Sequence, residues 1–409
     1  MSLTIPRIAW RNLWRNWQRT CLALLAIGVG QWALLATQGI MRGYADNIQR
    51  TITGPMVGHL QIHHPDYREK RAMDRVLHDV DPLVDRLRAL PDVDGVAARI
   101  YAPVLVAPER DAFMATVVGL DVAAESRPYG MLSGNAATLE PGKVLIGSGL
   151  ARRIGAAVGQ EIAVLGSATD GSMANDLYVV QAIVTSPVEL VNQNGIIMNL
   201  ADARELMIMP GQAHEIVLRA TRLDQVDGIA AALHADPALA GLDIATWREI
   251  VPEFVIIIDM VDYVAYFLLA LVLVAALAGI TNTLMMATYE RMHEFGMLLA
   301  LGCTPPRIRR MILVEAVWLG IVGVAVGTVL GYAFVLITAQ TGIDMGAWGG
   351  GDAKELAYGG MRLPLEIRPR LTLRDPILGL VAVIIVSMIA ALWPAFTASR
   401  LEPMEAMRA

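Results

Sequence analysis

Hydrophobic residues along this chain are concentrated in four long runs without a charged residue. The runs cover residues 20–41, 263–289, 316–343 and 376–399. A helix rises about 1.5 Å per residue, so each run is long enough to cross a hydrocarbon core of about 30 Å. Because a backbone in lipid must satisfy its own hydrogen bonds, such runs form helices. The pattern predicts an integral membrane protein with four transmembrane helices.

A long polar stretch, residues 42–258, separates the first run from the other three. Its pattern predicts strands that alternate with helices. The strands are expected at 58–63, 100–107, 113–119, 143–146, 161–165, 177–184, 195–199 and 215–220, and the helices at 82–90, 147–154, 201–207 and 225–234. A β-rich part is expected between about residues 125 and 210, and from Trp247 onward a helix is expected to run into the second span. The predicted fold class is an α-helical membrane protein with four transmembrane helices and a large α/β extracytoplasmic domain between helices one and two.

Arginines and tryptophans alternate before the first run. The arginines are Arg7, Arg11, Arg15 and Arg19, and the tryptophans are Trp10, Trp14 and Trp17. On a helix this spacing places a basic stripe beside an aromatic one, which is typical of a helix lying in the membrane interface. Residues 1–19 are therefore predicted to be an interfacial helix that anchors the cytoplasmic side, with Arg400 adding to the anchor after the fourth run.

The distribution of Lys and Arg predicts that both termini are cytoplasmic. Arginines cluster before the first run, between the second and third, and after the fourth. The loop after the third run is also basic and disagrees in part, so the orientation depends mainly on the N-terminal cluster. The predicted segments are 1–19 interfacial helix, 20–41 first span, 42–258 extracytoplasmic domain, 259–289 second span, 290–310 cytoplasmic helix and loop, 311–343 third span, 344–375 external loop, 376–399 fourth span and 400–409 cytoplasmic tail.

Charge and residue types exclude several function classes. The net charge is −6, and residues 42–258 carry 18 Lys and Arg against 27 Asp and Glu, so this stretch is −9 and argues against nucleic acid as a partner. The two cysteines, Cys21 and Cys303, form no disulfide framework or metal motif. A phosphate-binding loop is missing, and His293-Glu294 lacks the second histidine of a zinc protease. No catalytic residue, metal site or cofactor is predicted in this chain.

Small and acidic residues in the spans are candidates for packing or function. The third run carries Gly320, Gly323, Gly327 and Gly331, and the second carries Ala275, Gly279 and Thr283. Such rows allow close helix contact, either within the chain or against a second membrane subunit. The acids near span ends are Asp259, Asp262 and Glu315, and structural roles are favoured for them because they lie near the interfaces.

The segment between the second and third runs contains the strongest local motif. It is short and charged, and it predicts an amphipathic helix ended by Gly302 and the Pro305-Pro306 pair. The motif residues are Arg291, Glu294, Gly296, Ala300 and Gly302. In this pattern they resemble the coupling helix of the MacB/FtsX/LolC–LolE permeases of ABC transporters.

Both ends of the chain resemble the same family. The C-terminal stretch from Pro394 to Arg408 and the Trp10-Arg11-Asn12-Leu13 stretch are similar to its ending and its N-terminal elbow. The order of one span, a large domain and three spans is also that family's layout. Leu299 departs from the pattern, because many members carry arginine there. The length of the large domain and the stretch at 58–62 look most like the LolC/LolE lipoprotein-release branch.

The resemblance implies a function in mechanotransmission. A separate ATPase dimer would bind ATP and Mg and push the coupling helix, where Arg291, Glu294, Gly296, Ala300 and Gly302 lie, and Gly296 would leave room for the ATPase to approach. The motion would reach the extracytoplasmic domain and extract or export a lipophilic substrate such as a lipoprotein. The implied partners are this ATPase, a second permease (identical or homologous), membrane lipids and an extracytoplasmic accessory protein, in the bacterial inner membrane. An FtsX-like regulator that activates an extracytoplasmic enzyme, such as a cell-wall hydrolase, is the alternative.

Overall fold

A computed structural model describes residues 4–15, 17–108, 111–125, 130–132, 138–346, 355–358 and 361–400. The predicted C-terminal motif beyond Arg400 lies outside these residues. The chain divides into two compact units. The helical unit comprises Met1–Ala45, Asp259–Met345 and Glu366–Ala409, and the α/β unit comprises Asp46–Ile258 and Gly346–Leu365.

The α-helices of the described residues, in chain order, are α1 (Thr4–Arg15), α2 (Trp17–Thr51), α3 (Tyr67–Lys70), α4 (Val80–Arg88), α5 (Val122–Glu125), α6 (Ser148–Ile154), α7 (Glu189–Asn194), α8 (Leu200–Leu206), α9 (Val226–His234), α10 (Trp247–Ile250), α11 (Pro252–Glu290), α12 (Met292–Ala300), α13 (Pro305–Thr341) and α14 (Arg374–Ser399). A short π-helix, Ile52–Met56, follows α2.

The strands are β1 (Leu60–His63), β2 (Val93–Ala107), β3 (Phe113–Leu120), β4 (Lys143–Gly147), β5 (Glu161–Ser167), β6 (Met173–Val184), β7 (Gly195–Asn199), β8 (Glu215–Ala220), β9 (Asp243–Thr246), β10 (Ile343–Asp344), β11 (Glu355–Tyr358), β12 (Met361–Pro364) and β13 (Glu366–Ile367). Every strand and helix predicted for residues 42–258 overlaps one of these observed elements.

Four helices of the described residues are long and apolar enough to cross a membrane: α2, α11, α13 and α14. Helices α2, α11 and α14 each contain one of the uncharged runs, and α13 contains its run except for residues 342 and 343; α2 continues to Thr51, and α11 already begins at Pro252. Helices α2 and α11 extend beyond their uncharged runs because charged residues oppose burial in lipid but do not oppose helix formation. Pro305 opens α13 at its first turn, so the proline pair starts this helix as well as following α12.

The core of the helical unit is one cluster of small and aliphatic side chains. It joins α2, α11, α13 and α14, and the short helix α12 contributes Phe295 to it. Because Phe295 is almost fully buried, α12 is packed onto the helices that it connects.

Six strands of the α/β unit form a closed barrel. The pairings run β2–β3–β7–β4–β6–β5 and return from β5 to β2. The β-rich part therefore begins well before residue 125, because β3 and the second half of β2 belong to the barrel. Closure leaves the barrel without an open edge.

Strand β2 belongs to two sheets. Its first half pairs with β8, and the sheet continues through β1 to β9, while its second half lies in the barrel. Arg99 stands at the changeover, opposite Leu120 of β3 on one side and Glu215 of β8 on the other. The barrel and the outer sheet are thus joined through the middle of one strand.

The expected continuous helix from Trp247 into the second span is interrupted. Helix α10 starts with a capping box between Thr246 and Glu249, and it ends at Ile250. Val251 leaves the helical conformation, and Pro252 opens α11. Proline disfavours a helical conformation in the residue before it, which explains the break.

Candidate coupling site

The site is built around α12, which connects α11 to α13. The helix ends in a Schellman motif: the Cys303 amide donates to the Leu298 carbonyl, and the Gly302 amide donates to the Leu299 carbonyl. Gly302 has a φ of +87°, which a residue with a β-carbon adopts only with strain. Gly302 therefore ends the helix where the sequence predicts, for a conformational reason.

Arg291 stands immediately before α12 and faces inward. It is 7% exposed, and its Nη1 lies 3.1 Å from Oε2 of Glu315 on α13. Its guanidinium carbon also lies 5.0 Å from the centre of the Phe295 ring. A buried guanidinium with a carboxylate and an aromatic face as neighbours fixes the start of α12 to α13.

Glu294 extends this ion pair to a third helix. Its carboxylate accepts hydrogen bonds from Nη1 of Arg15 on α1 at 2.9 Å and from Nε of Arg291 at 3.2 Å. Burial raises the pKa of Glu294, but the hydrogen bonds from Arg15 and Arg291 outweigh it and hold the pKa below its usual range. Arg15, Glu294, Arg291 and Glu315 thus alternate in charge and link α1, α12 and α13; we call these four residues the ion chain.

The opposite face of α12 is exposed. His293, Met297 and Leu301 follow each other at four-residue spacing, so they form one stripe, and the side chain of Leu301 is 84% exposed. Leu298 also lies outward, as does Ala300 of the motif. This apolar outer stripe was not predicted, although its four-residue spacing is visible in the sequence.

The motif residues do not all face the same way. Ala300 and Gly302 are exposed, Glu294 is half-buried, and Arg291 and Gly296 are buried. Gly296 is buried within this chain, and the approach of a partner at this position stays a prediction. Glu315 and Arg15 complete the site, whereas Asp259 and Asp262 are exposed on α11.

The glycine row of α13 is used within the chain. A β-carbon at Gly323, Gly327 or Gly331 would lie 2.7, 2.6 and 2.9 Å, respectively, from side-chain atoms of α2. The facing residues are Ile27, Gln31 and Leu35, at a constant offset of 296 residues. The constant offset means that α2 and α13 run in the same direction in close contact.

The remaining small residues behave differently from this row. Gly320 faces span four, because a β-carbon there would come within 2.5 Å of Oγ of Ser387 on α14. On α11, a β-carbon at Gly279 would meet no described atom within 4 Å, which leaves room there for another helix or for lipid.

The predicted anchor residues lie in several environments. Arg7 and Arg11 are exposed on α1, Arg15 belongs to the ion chain, and Arg400 is exposed after α14. Arg19 lies within α2, and its side chain is outside the described part of the structure. Within the described ranges, no three His, Cys, Asp or Glu side chains come together as metal ligands would.

Two family models match this chain. The FtsX-like permease C-terminal model matches residues 266–403, and the MacB-like periplasmic core domain model matches residues 20–236, which is more than half of the chain. The chain therefore belongs to the MacB/FtsX/LolC–LolE family of ABC transporter permeases. The resemblance drawn from the motif residues is confirmed.

Individual relatives are distant. The protein named "ABC transporter permease YtrF" from Bacillus subtilis (strain 168) is 33% identical over 134 residues, which cover 32% of this chain and 28% of YtrF. The "lipoprotein-releasing system transmembrane protein" LolC of Xylella fastidiosa (strain 9a5c) is 23% identical and covers 94% of this chain and 92% of LolC. LolE of Haemophilus influenzae, with the same descriptive name, is 23% identical and covers 98% of each chain.

Among solved structures, the periplasmic region of MacB from Actinobacillus actinomycetemcomitans aligns with 50% of this chain and 96% of that structure. The sequence identity is 10% and the TM-score is 0.36, which is too low to establish a shared fold.

Proposed function

We propose that this chain is the permease subunit of an ABC transporter in the bacterial inner membrane. In this proposal it converts the ATP-driven motion of a separate ATPase into movement of its extracytoplasmic domain, which extracts or exports a lipophilic substrate such as a lipoprotein. The observation that carries the proposal is the two-sided character of α12, with an ion chain on its inner side and an apolar stripe on its outer side.

The inner side of α12 suits the transmission of force. Its residues are tied to α13 through Arg291–Glu315 and to α1 through Glu294–Arg15. A displacement of α12 would therefore be transmitted to α13, because rupture of the buried Arg291–Glu315 contact costs several kcal/mol. The Glu294–Arg15 contact to α1 is partly exposed and is therefore weaker. A loosely attached connector would bend instead.

The outer side of α12 suits a protein contact. Met297 and Leu301 are exposed in a segment flanked by arginines, including Arg307 and Arg310 at the start of α13. An apolar stripe on a short helix, surrounded by polar residues, is a typical helix-in-groove docking element. We assign the groove that receives this stripe to the ATPase dimer, which would bind ATP and Mg.

The substrate class and the further partners follow from the family. Two relatives aligned along almost their whole length are named for lipoprotein release, which supports a lipoprotein as substrate. A second permease, identical or homologous, and an extracytoplasmic accessory protein complete the proposed assembly. Recovery of the complex from native membranes, with identification of its subunits and bound lipoprotein, tests this part; a purified complex without a second permease would contradict it.

Leu301→Glu is expected to abolish association with the ATPase while leaving the amount of chain in the membrane unchanged. A carboxylate buried in an apolar groove without a partner costs several kcal/mol, and Leu301 contributes nothing to the internal core because it is 84% exposed. The measurement is co-purification of the ATPase together with ATP-dependent function. Met173→Glu provides the control, since Met173 is an exposed methionine of the α/β unit. Full association of Leu301→Glu would show that α12 is only a connector.

We also propose that both termini are cytoplasmic and that the α/β unit is extracytoplasmic. Lys and Arg cluster at the chain ends and beside α12, and the number of candidate spans in the described ranges is even. A cysteine at Ser172, an exposed turn residue, is expected to react with an impermeant thiol reagent in intact cells once Cys21 and Cys303 are replaced. Protection of that cysteine, with labelling of one introduced after Arg400, would reverse the orientation.

A further inference from the structure

A groove of about 410 Å³ lies between α1 and α13 in the helical unit. Its lining consists of Arg7, Trp10 and Arg11 from α1 and Trp318 from α13. The rings of Trp10 and Trp318 meet edge to face with their centres 5.3 Å apart. The groove surface is almost entirely apolar: Trp10 and Trp318 form its aromatic wall, and Arg7 and Arg11 line it with the hydrocarbon parts of their side chains.

The two arginines of the groove, Arg7 and Arg11, have no acidic partner in the part of the chain that the structure describes. Arg7 and Arg11 are one helical turn apart, so they lie on the same side of α1. Among the described residues, neither forms an ion pair, whereas Arg15 on the same helix is bound to Glu294. Two neighbouring cations at the mouth of a groove attract an anion, and a guanidinium matches the geometry of a phosphate.

We propose that this groove binds the headgroup of an anionic phospholipid. The phosphate would lie between Arg7 and Arg11, and the upper part of the acyl chains would follow Trp10 and Trp318. The lipid is favoured over a soluble anion because one wall belongs to α13, which is apolar enough to cross a membrane, and because tryptophan is enriched where headgroups meet hydrocarbon.

A lipid bound in this groove would influence the candidate coupling site through α1. Arg15, the last residue of α1, holds Glu294 of α12 at 2.9 Å. A lipid that fixes α1 against α13 would also steady this contact, so the response of the ATPase to its permease would depend on anionic lipid. This consequence relies on the proposed function, whereas the binding of lipid does not.

The binding is tested with the purified full chain in neutral detergent, titrated with phosphatidylglycerol or phosphatidylethanolamine and followed by native mass spectrometry. Phosphatidylglycerol is expected to bind in preference to phosphatidylethanolamine. The double variant Arg7→Gln/Arg11→Gln is expected to lower the affinity for phosphatidylglycerol about 30-fold, because each arginine near the membrane surface contributes separately to the attraction of an anionic lipid. Arg307→Gln/Arg310→Gln removes two exposed arginines outside the groove and is expected to leave the affinity unchanged. A large excess of inorganic phosphate should not displace the lipid.

Trp318→Leu keeps every charge and removes part of the aromatic wall. It therefore distinguishes lipid binding in the groove from general electrostatic attraction to the chain. It is expected to weaken the binding of phosphatidylglycerol although both arginines remain, and it decides the matter if the double arginine variant fails to fold. Equal binding of both lipids, an equal loss in the Arg307/Arg310 control, or displacement by inorganic phosphate would overturn the proposal. Since no ATPase is present, this outcome is independent of the coupling function.

Discussion

Arg291→Met is expected to destabilise the chain by about 3–5 kcal/mol and to abolish ATP-dependent function. The substitution removes the cation from Glu315, which is buried on α13 and has Arg291 at 3.1 Å. Loss of one partner of a buried pair leaves the other charge desolvated and uncompensated, and this costs more than the pair itself contributed. Thermal unfolding of the purified chain and ATP-dependent transport in membranes measure the two effects.

The double variant Arg291→Met/Glu315→Leu separates the two roles of the ion pair. Replacement of both charges by apolar residues of similar size is often neutral for stability, so the double variant is expected to unfold close to the wild-type temperature. Function is expected to remain impaired, because the charged link from α12 to α13 is missing. A single variant as stable as the wild type would show that Arg291 and Glu315 do not form the buried pair.

Arg99→Met is expected to have a comparable effect on the α/β unit. Arg99 is 1% exposed, and it donates to Glu125 at 2.6 Å and to Glu215 at 3.4 Å. It also donates to the carbonyls of Pro55 and Met56 in the π-helix, at 3.1 and 2.6 Å. Its removal would leave two buried carboxylates without their shared cation, at a cost of about 3–5 kcal/mol.

The expected result for Arg99→Met is a thermal midpoint lower by roughly 10 °C, with earlier proteolysis of the α/β unit. Because Arg99 stands where β2 passes from the outer sheet into the barrel, the damage should reach both parts. Arg222→Met is the control, since Arg222 is an exposed arginine paired with Asp224 on the surface, and surface pairs contribute little. Equal midpoints for the two variants would refute the structural role of Arg99.

The sequence predicts the helices of the helical unit better than their ends. Runs of apolar residues indicate which segments can lie in lipid, and each of the four long helices coincides with one run, although the third run continues two residues past the end of α13. The helix ends are set by local backbone chemistry, as the break at Val251 before Pro252 and the left-handed Gly302 show. Of these, Gly302 was predictable as a helix stop, and the continuous helix expected from Trp247 was wrong.

Strand pairing explains what the sequence leaves open in the α/β unit. The pattern predicts β2 only from residue 100, because Gly95 and the alanines before Arg99 have low strand propensity. The pairing of this stretch with β8 makes it a strand nevertheless. Barrel closure depends on β5 meeting β2, more than fifty residues earlier in the chain, and no local pattern carries that information.

In the candidate coupling site, too, the local structure is predictable and the distant pairings are not. The motif places a short charged helix between two spans, and α12 is found there. Its orientation depends on Arg15 and Glu315, which lie far from Glu294 in sequence. Both charges are visible as an arginine in a stripe and an acid in an apolar run, but their pairing through Glu294 and Arg291 requires the folded geometry. The burial of Gly296 follows from that orientation.

In the proposed function, the outer stripe of α12 contacts a separate ATPase. The most direct measurement places a photo-reactive phenylalanine analogue at Leu301 in intact cells and identifies the cross-linked product by mass spectrometry; the same analogue at Met173 serves as the reference position. We expect an adduct with a cytoplasmic ATPase at Leu301 and none at Met173. Adducts at Leu301 that contain only lipid or extracytoplasmic proteins, in cells where the protein is active, would contradict it.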